Sequence, residues 1–403
     1  MADPVALDYL LGPQAIRDRT QTLFDLCRSN QLENFTCDLS QLDRVTDFVV
    51  ETIQQHYPDF AVPFHSRWRH FGSTRLAQLD TLLSGVSPDA IAKSKLDLAI
   101  VSVLLDAGAG SQWRYQDAEA DQVLARSEGL AVASLRAFMQ GAFSSNRDRP
   151  LQVDAVGLRQ MTEADLTRIF QVSDGNPLVG LAGRLSLLHR LGQALLAQPE
   201  RFGTGPVRPA NLLDGLRSHC PLDAGDLLRA VLQGFGSIWP GRTTLDGVNV
   251  GDVWPHPALP DDVPGSNLVP FHKLSQWLTY SLVEPLVEAG VDVVNLDALT
   301  GLAEYRNGGL LVDLGLLVPK HENVIKQAHL PGSTVVVEWR ALTVVGLDLV
   351  CDRIRQRLHK TADELPLIKV LEGGTWTAGR RIAKQRRPDG TPPITLQSDG
   401  TVF

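Results

Sequence analysis

The sequence predicts a mainly α, helix-rich protein of two lobes, with a small β element late in the chain. Three observations carry this expectation. Apolar residues recur at spacings of three and four in several long stretches, glycines and prolines crowd into one passage, and a single late run alternates like a strand.

In the first 60 residues Leu23, Leu26, Val45, Phe48, Val49 and Ile53 recur with helical spacing. Pro58 and Pro63 then bracket an extended passage that carries the polar-aromatic run FHSRWRHF, Phe64 to Phe71. Helical pattern resumes from Asp89 to Phe143, where LDLAIVSVLLDAGAG is apolar nearly all round and should be a buried helix stopped by its glycines. Asp174 or Asn176 should cap the next helix, with Pro177 in its first turn.

Residues 236–269 hold too many breakers for long regular structure and read as an ordered functional loop or a connection between lobes. A helix follows over His272 to Gly290, burying Leu274, Trp277, Leu278, Leu282 and Val283. The β-branched run Ser333 to Val345 is the strand candidate. The lobes are then 1–235, and 236–387 with the catalytic helices and the small sheet, leaving 388–403 as a flexible tail.

With 403 residues a large core is available, and 38 basic against 46 acidic residues give a net charge of −8. That disfavours a dedicated nucleic-acid binder, which needs clustered cations to displace counterions. No apolar stretch approaches the roughly 20 residues that cross a bilayer, and Met1-Ala2-Asp3 does not begin like an export signal. A soluble cytoplasmic protein with no membrane partner is expected. Cys27, Cys37, Cys220 and Cys351 are scattered without metal-site spacing and read as reduced and structural.

The sharp motifs of metalloproteases, P-loops, nucleophile elbows and dinucleotide folds are missing. DAGAG, Asp106 to Gly110, is either a phosphate-binding loop or a plain helix stop. In FHSRWRHF, His65, Arg67, Arg69 and His70 alternate with Phe64, Trp68 and Phe71. The run offers a fork for phosphate or carboxylate with an aromatic anchor, or else a salt-bridge cluster between domains. His65 and His70 have poor spacing for a metal, and no metal site is expected. DVWPHP puts Asp252, Trp254 and His256 in a proline-stiffened loop, either a stacking platform for a ring or sugar or a loop pinned by a buried tryptophan.

Downstream, Lys273, Gln276 and Tyr280 share one helical face, and Glu304-Tyr305-Arg306 precedes Asn307-Gly308-Gly309. If Lys273 and Glu304 meet in a dry cleft, the pair either works on a substrate or is a structural ion pair.

Together FHSRWRHF, LLDAGAG with QWRY, RSEGL, DGNPLVGL, GDVWPHP, PFHKLSQWLTYSL and LTGLAEYRNGGLLVDLG resemble the fungal and bacterial uracil-catabolism protein family, a domain of unknown function. The likeness spans 1–403 as one family unit. It implies a route in which a uracil phosphoribosyltransferase and a cyclohydrolase-like ring-opening enzyme are functional partners and a ribosylurea phosphate is the intermediate.

A shorter likeness is to queuosine-salvage nucleotide N-glycosidases, which carry Lys-x-x-Gln and then Ala-Asp-Tyr-Arg. Lys273 and Gln276 match the first, and Ala303, Tyr305 and Arg306 the second, with Glu304 where that family has aspartate. This likeness implies a DNA-glycosylase-like catalytic lobe and an N-glycoside hydrolase. Glu304 would stabilise the oxocarbenium charge and Lys273 would orient that carboxylate or meet sugar hydroxyls. His272 or Asp313 would protonate the leaving nitrogen, and Arg67, Arg69 and Arg306 would receive the phosphate. No cofactor is required. An amidohydrolase acting on the ureido group, or a noncatalytic nucleotide-binding partner of the ring-opening enzyme, are the competing expectations.

Overall fold

The computed structural model describes residues 4–106, 108–217, 220–240 and 243–397. The described chain is mainly helical, and its β structure consists of two-stranded pairs. No helix among the described residues is long and apolar enough to cross a membrane. The chain forms two compact units and, over the described residues, passes between them four times, where the sequence reading expects one division near residue 236.

The first unit gathers the described residues among 1–65, 241–276 and 295–398. Helices α1 (Pro13–Arg28) and α2 (Leu42–His56) behave as their periodicity requires: Val45, Val49 and Ile53 line one buried stripe of α2. Helix α3 (Lys273–Glu288) begins here, and this unit holds its residues up to Gln276. Two short helices, α4 (Tyr305–Asp313) and α6 (Trp376–Arg386), pack on one another. The longest element, α5 (Thr334–Leu358), packs against α1, α2 and α4.

Helix α5 corrects the expected strand over Ser333 to Val345. Every residue from Val335 to Leu347 is buried. A helix covered on all faces loses the 3.6-residue signature, and β-branched residues that look strand-like in sequence are tolerated once packing supplies the stability. The β structure lies elsewhere, in short two-stranded pairs that include the antiparallel β1 (Phe35–Cys37) with β4 (Leu317–Pro319) and β2 (Val253–Pro255) with β3 (Leu268–Pro270). In the expected tail, Ile394 is buried and Thr395–Leu396 pairs with Ala328–His329, while 398–403 lie outside the described residues.

The second unit gathers the described residues among 66–240 and 277–294. Its helix Pro88–Leu104 buries the run from Leu96 onward and ends ahead of the glycines, as anticipated. Asp97 joins this helix to its surroundings, accepting from Val153 N at 2.8 Å, Ala210 N at 2.9 Å and Arg208 Nε at 2.9 Å. The helix expected to start at Pro177 begins instead at Leu181, after Gly180 with φ 75°. Asn176 does not cap it. The Asn176 side chain instead bonds both the N–H and the carbonyl of Arg114, each at 2.8 Å.

The α4–α6 crossing has no room for a side chain at Gly379, where a Cβ would stand 2.3 Å from the Arg306 carbonyl oxygen. Gly379→Ala should therefore lower unfolding free energy by about 1–3 kcal/mol in a urea titration, because helix α6 must move to admit the methyl group.

Candidate active site

Pairing of β2 with β3 sets Asp252 beside Phe271, whose N–H donates to the Asp252 carbonyl at 3.0 Å. The Asp252 carboxylate is then surrounded by donors. Arg340 on α5 grips it with Nη1 to Oδ1 and Nη2 to Oδ2, both at 2.7 Å. The Trp254 indole N–H donates at 2.7 Å and the backbone N–H of Lys273 at 3.0 Å. Burial alone would raise the Asp252 pKa, but the Arg340 charge and these hydrogen bonds outweigh it and hold the carboxyl well below its usual range.

Arg340 itself is 2% exposed and lies 4.1 Å from the Phe271 ring centroid. Its third nitrogen, Nε, donates to the carbonyl of Ala303 at 3.2 Å, one residue before Glu304. One guanidinium thus holds both the start of α3, through Asp252, and the entrance of α4. Trp254 is pinned in this arrangement, since Gly332 sits so close that a Cβ there would be 2.6 Å from the indole.

Gln276 ties the same two segments a second time. Its amide donates to Phe271 O at 3.1 Å and to Thr300 Oγ1 at 2.7 Å, and accepts from Thr300 N at 2.9 Å. It holds the 299–304 segment rather than offering its amide to a ligand. Glu304 caps α4: Oε2 accepts from Arg306 N at 2.9 Å and Oε1 from Asn307 N at 2.6 Å. One carboxylate thus takes two backbone donors at a helix start, where unpaired N–H groups converge. Asn307 fixes the approach from the other side, donating to Leu302 O at 3.1 Å.

Other expected site residues are placed differently. Asp313 is at the far end of α4, nine residues and thus roughly 13 Å from Glu304. There Arg387 takes both of its oxygens, at 2.8 and 2.5 Å. His272 is buried, has φ 48°, and places Nε2 2.8 Å from the Leu10 carbonyl. Burial lowers its pKa, which makes the ring neutral with its one N–H committed to that carbonyl. His65 meets Glu372 at 2.6 Å. His256 accepts from Ala258 N at 3.2 Å and keeps Nε2 3.6 Å from Glu338.

In the second unit, Arg67 is wholly buried and paired with Asp106 at 2.8 Å, and Arg69 with Glu284 at 2.5 Å. Trp68 donates to Ser281 O at 2.9 Å, and Tyr280 is buried. The fork read from FHSRWRHF is thus occupied by carboxylates of its own unit.

A family model described as "Protein of unknown function (DUF1688)" matches residues 9–403. The chain belongs to that family. It is 42% identical over 405 residues to Protein urg3 of Schizosaccharomyces pombe, covering 98% of each chain. It is 38% identical over 437 residues to uracil catabolism protein 4 of Lachancea kluyveri, covering 98% of this chain and 99% of that one.

The motifs that carry the family resemblance do not include Arg340, Glu372 or Trp376. A signal for Arg340 exists: a lone cation follows Glu338-Trp339 inside an otherwise apolar run, and a buried arginine needs an anion somewhere.

In this DUF1688 member, Arg340→Met should strand Asp252 as an uncompensated buried charge and cost about 3–5 kcal/mol of unfolding free energy. The double variant with Asp252→Asn should recover much of that loss, giving a large coupling energy in the double-mutant cycle. Because the Asp252 pKa is depressed in the folded chain, the pair's contribution is present above the unfolded aspartate value of about 3.9 and is lost as pH falls below it. Acid titration of wild type against the double variant, followed by circular dichroism, checks the direction.

Proposed function

We propose that this protein hydrolyses the N-glycosidic bond of a ring-opened uracil nucleotide such as ribosylurea 5′-phosphate, releasing urea and ribose phosphate in uracil catabolism. The observation that carries the proposal is the setting of Glu304. Its carboxylate is held by two backbone donors, in a segment braced by Arg340 and Gln276, within the unit that also holds Lys273. The name of the Lachancea kluyveri relative supports the pathway.

The chemistry asks for an anion of fixed position. As the C1′–N bond breaks, its electron pair leaves with the ureido nitrogen and positive charge spreads over C1′ and the ring oxygen. A carboxylate that need not reorganise stabilises that charge and accepts a proton from the attacking water. The water oxygen bonds to C1′, and the departing nitrogen takes up one proton.

Neither His272 nor Asp313 is set up to supply that proton, the first being neutral and bonded to Leu10, the second held by Arg387. The proton comes from solvent or from the Lys273 ammonium. Asp252 and Arg340 act as positioning residues, fixing the Lys273 backbone and the carbonyl that precedes Glu304. A phosphoribosyltransferase and a ring-opening enzyme would supply the substrate.

Purified protein incubated with synthetic ribosylurea 5′-phosphate should yield urea and ribose 5-phosphate in equal amounts. Ammonia and carbon dioxide in place of urea would assign the chemistry to the ureido carbonyl and overturn the proposal. Glu304→Gln keeps a helix-capping oxygen, so its fold should persist while kcat falls by about two to four powers of ten. Unchanged pathway flux in a complementation assay with that variant would indicate a noncatalytic role.

A further inference from the structure

The first unit contains a guanidinium with no counterion among the described residues. Arg306, in the first turn of α4, lies with its Cζ 5.2 Å from the Tyr305 ring centroid and 5.6 Å from that of Trp376. Among the described residues it makes no side-chain hydrogen bond and no ion pair. Three arginines of this unit are paired, Arg340 with Asp252, Arg355 with Asp297 and Arg387 with Asp313, whereas Arg19, like Arg306, lies against a ring, 5.8 Å from the Tyr9 centroid. A guanidinium packed against aromatic rings loses little freedom on binding and keeps its N–H edge for a bidentate anion.

A second cation shares the same indole, with Arg380 Cζ 4.8 Å from the Trp376 centroid. The backbone that delivers Trp376 is irregular. Leu371–Thr375 is a π-helical turn between Leu367–Val370 and α6. A π turn adds one residue to the circuit, so everything after it is rotated by roughly 100° relative to an unbroken α-helix. Trp376 is the first residue of α6 after that turn.

The turn is built on glycines that cannot be replaced cheaply. A Cβ on Gly373 would sit 2.8 Å from Val62, and one on Gly374 would sit 2.7 Å from Val49. Between α4 and α6 there is also a small pocket lined by Tyr305, Arg306, Gly309, Asp313 and Gly379. Its acid, Asp313, is neutralised by Arg387, which leaves Arg306 as the uncompensated charge at the pocket.

We propose that Arg306, stacked between Tyr305 and Trp376 and seconded by Arg380, is a subsite for the phosphate monoester of a small-molecule ligand. This deepens the glycosidase proposal and rests on it for the identity of the ligand, the sugar phosphate. Of the three arginines expected to receive the phosphate, it keeps Arg306, two residues after Glu304, and drops Arg67 and Arg69, which are paired with Asp106 and Glu284.

The test is calorimetric titration of the full chain with ribose 5-phosphate, with ribose and inorganic phosphate as separate probes. Ribose 5-phosphate should bind wild type, about ten- to a hundredfold more weakly Arg306→Gln, and at an intermediate level Arg306→Lys. Arg380→Gln should weaken it severalfold, which keeps the test open if Arg306→Gln does not fold. In turnover, Arg306→Gln should raise KM for the phosphorylated substrate about tenfold or more while leaving kcat within a fewfold.

Equal ribose 5-phosphate affinity in wild type and folded Arg306→Gln overturns the subsite, even if urea is released. Loss of affinity in that variant supports it, and does so even if wild type releases no urea, an outcome that would overturn only the glycosidase proposal.

Discussion

The first unit is organised around one buried ion pair. Arg340 is buried and Asp252 largely so, and besides the two hydrogen bonds between them they make three more, to Trp254, Lys273 and Ala303. A planar guanidinium is the group that can do this, because its fork meets both carboxylate oxygens while the third nitrogen points elsewhere. Lysine at 340 would keep the charge and lose the geometry.

The same device recurs in smaller form. Glu304 accepts from two backbone N–H groups at the start of α4, and Asp97 from two backbone N–H groups and from Arg208, so a side chain satisfies backbone donors that no secondary-structure ladder takes up there. This is how a helix-rich chain with little sheet can hold irregular passages such as 299–304 in a single conformation. A carboxylate fixed in this way is also ready for electrostatic work, since no reorganisation is needed when charge develops nearby.

Much of the fold class is legible because it rests on local periodicity. The stripe of Val45, Val49 and Ile53 on α2, and the apolar face of α3 with Trp277, Leu278, Leu282 and Val283, are readable from spacing, although Leu274 is only half-buried. Spacing misleads where burial is uniform: in α5 an alternation of β-branched residues imitates a strand and hides Arg340 within it. Of the candidate site, Lys273, Gln276 and Glu304 come from motif and likeness. The occupancy of Arg69 by Glu284, 215 residues away, has no local signal at all.

The sequence by itself determined the helical segments that keep one apolar face, where the chain breaks, and which short motifs hold polar groups among apolar ones, because those properties depend on neighbours within one or two turns; the uniformly buried α5 was not among them. Only the tertiary structure decided which charges are neutralised and which remain open. Arg67, Arg69 and Asp313 found counterions, Arg306 found two rings, and Glu304 found a helix end. The physical reason is that burial makes an ionised group depend on a partner in space, and that partner is supplied by chain folding rather than by sequence proximity.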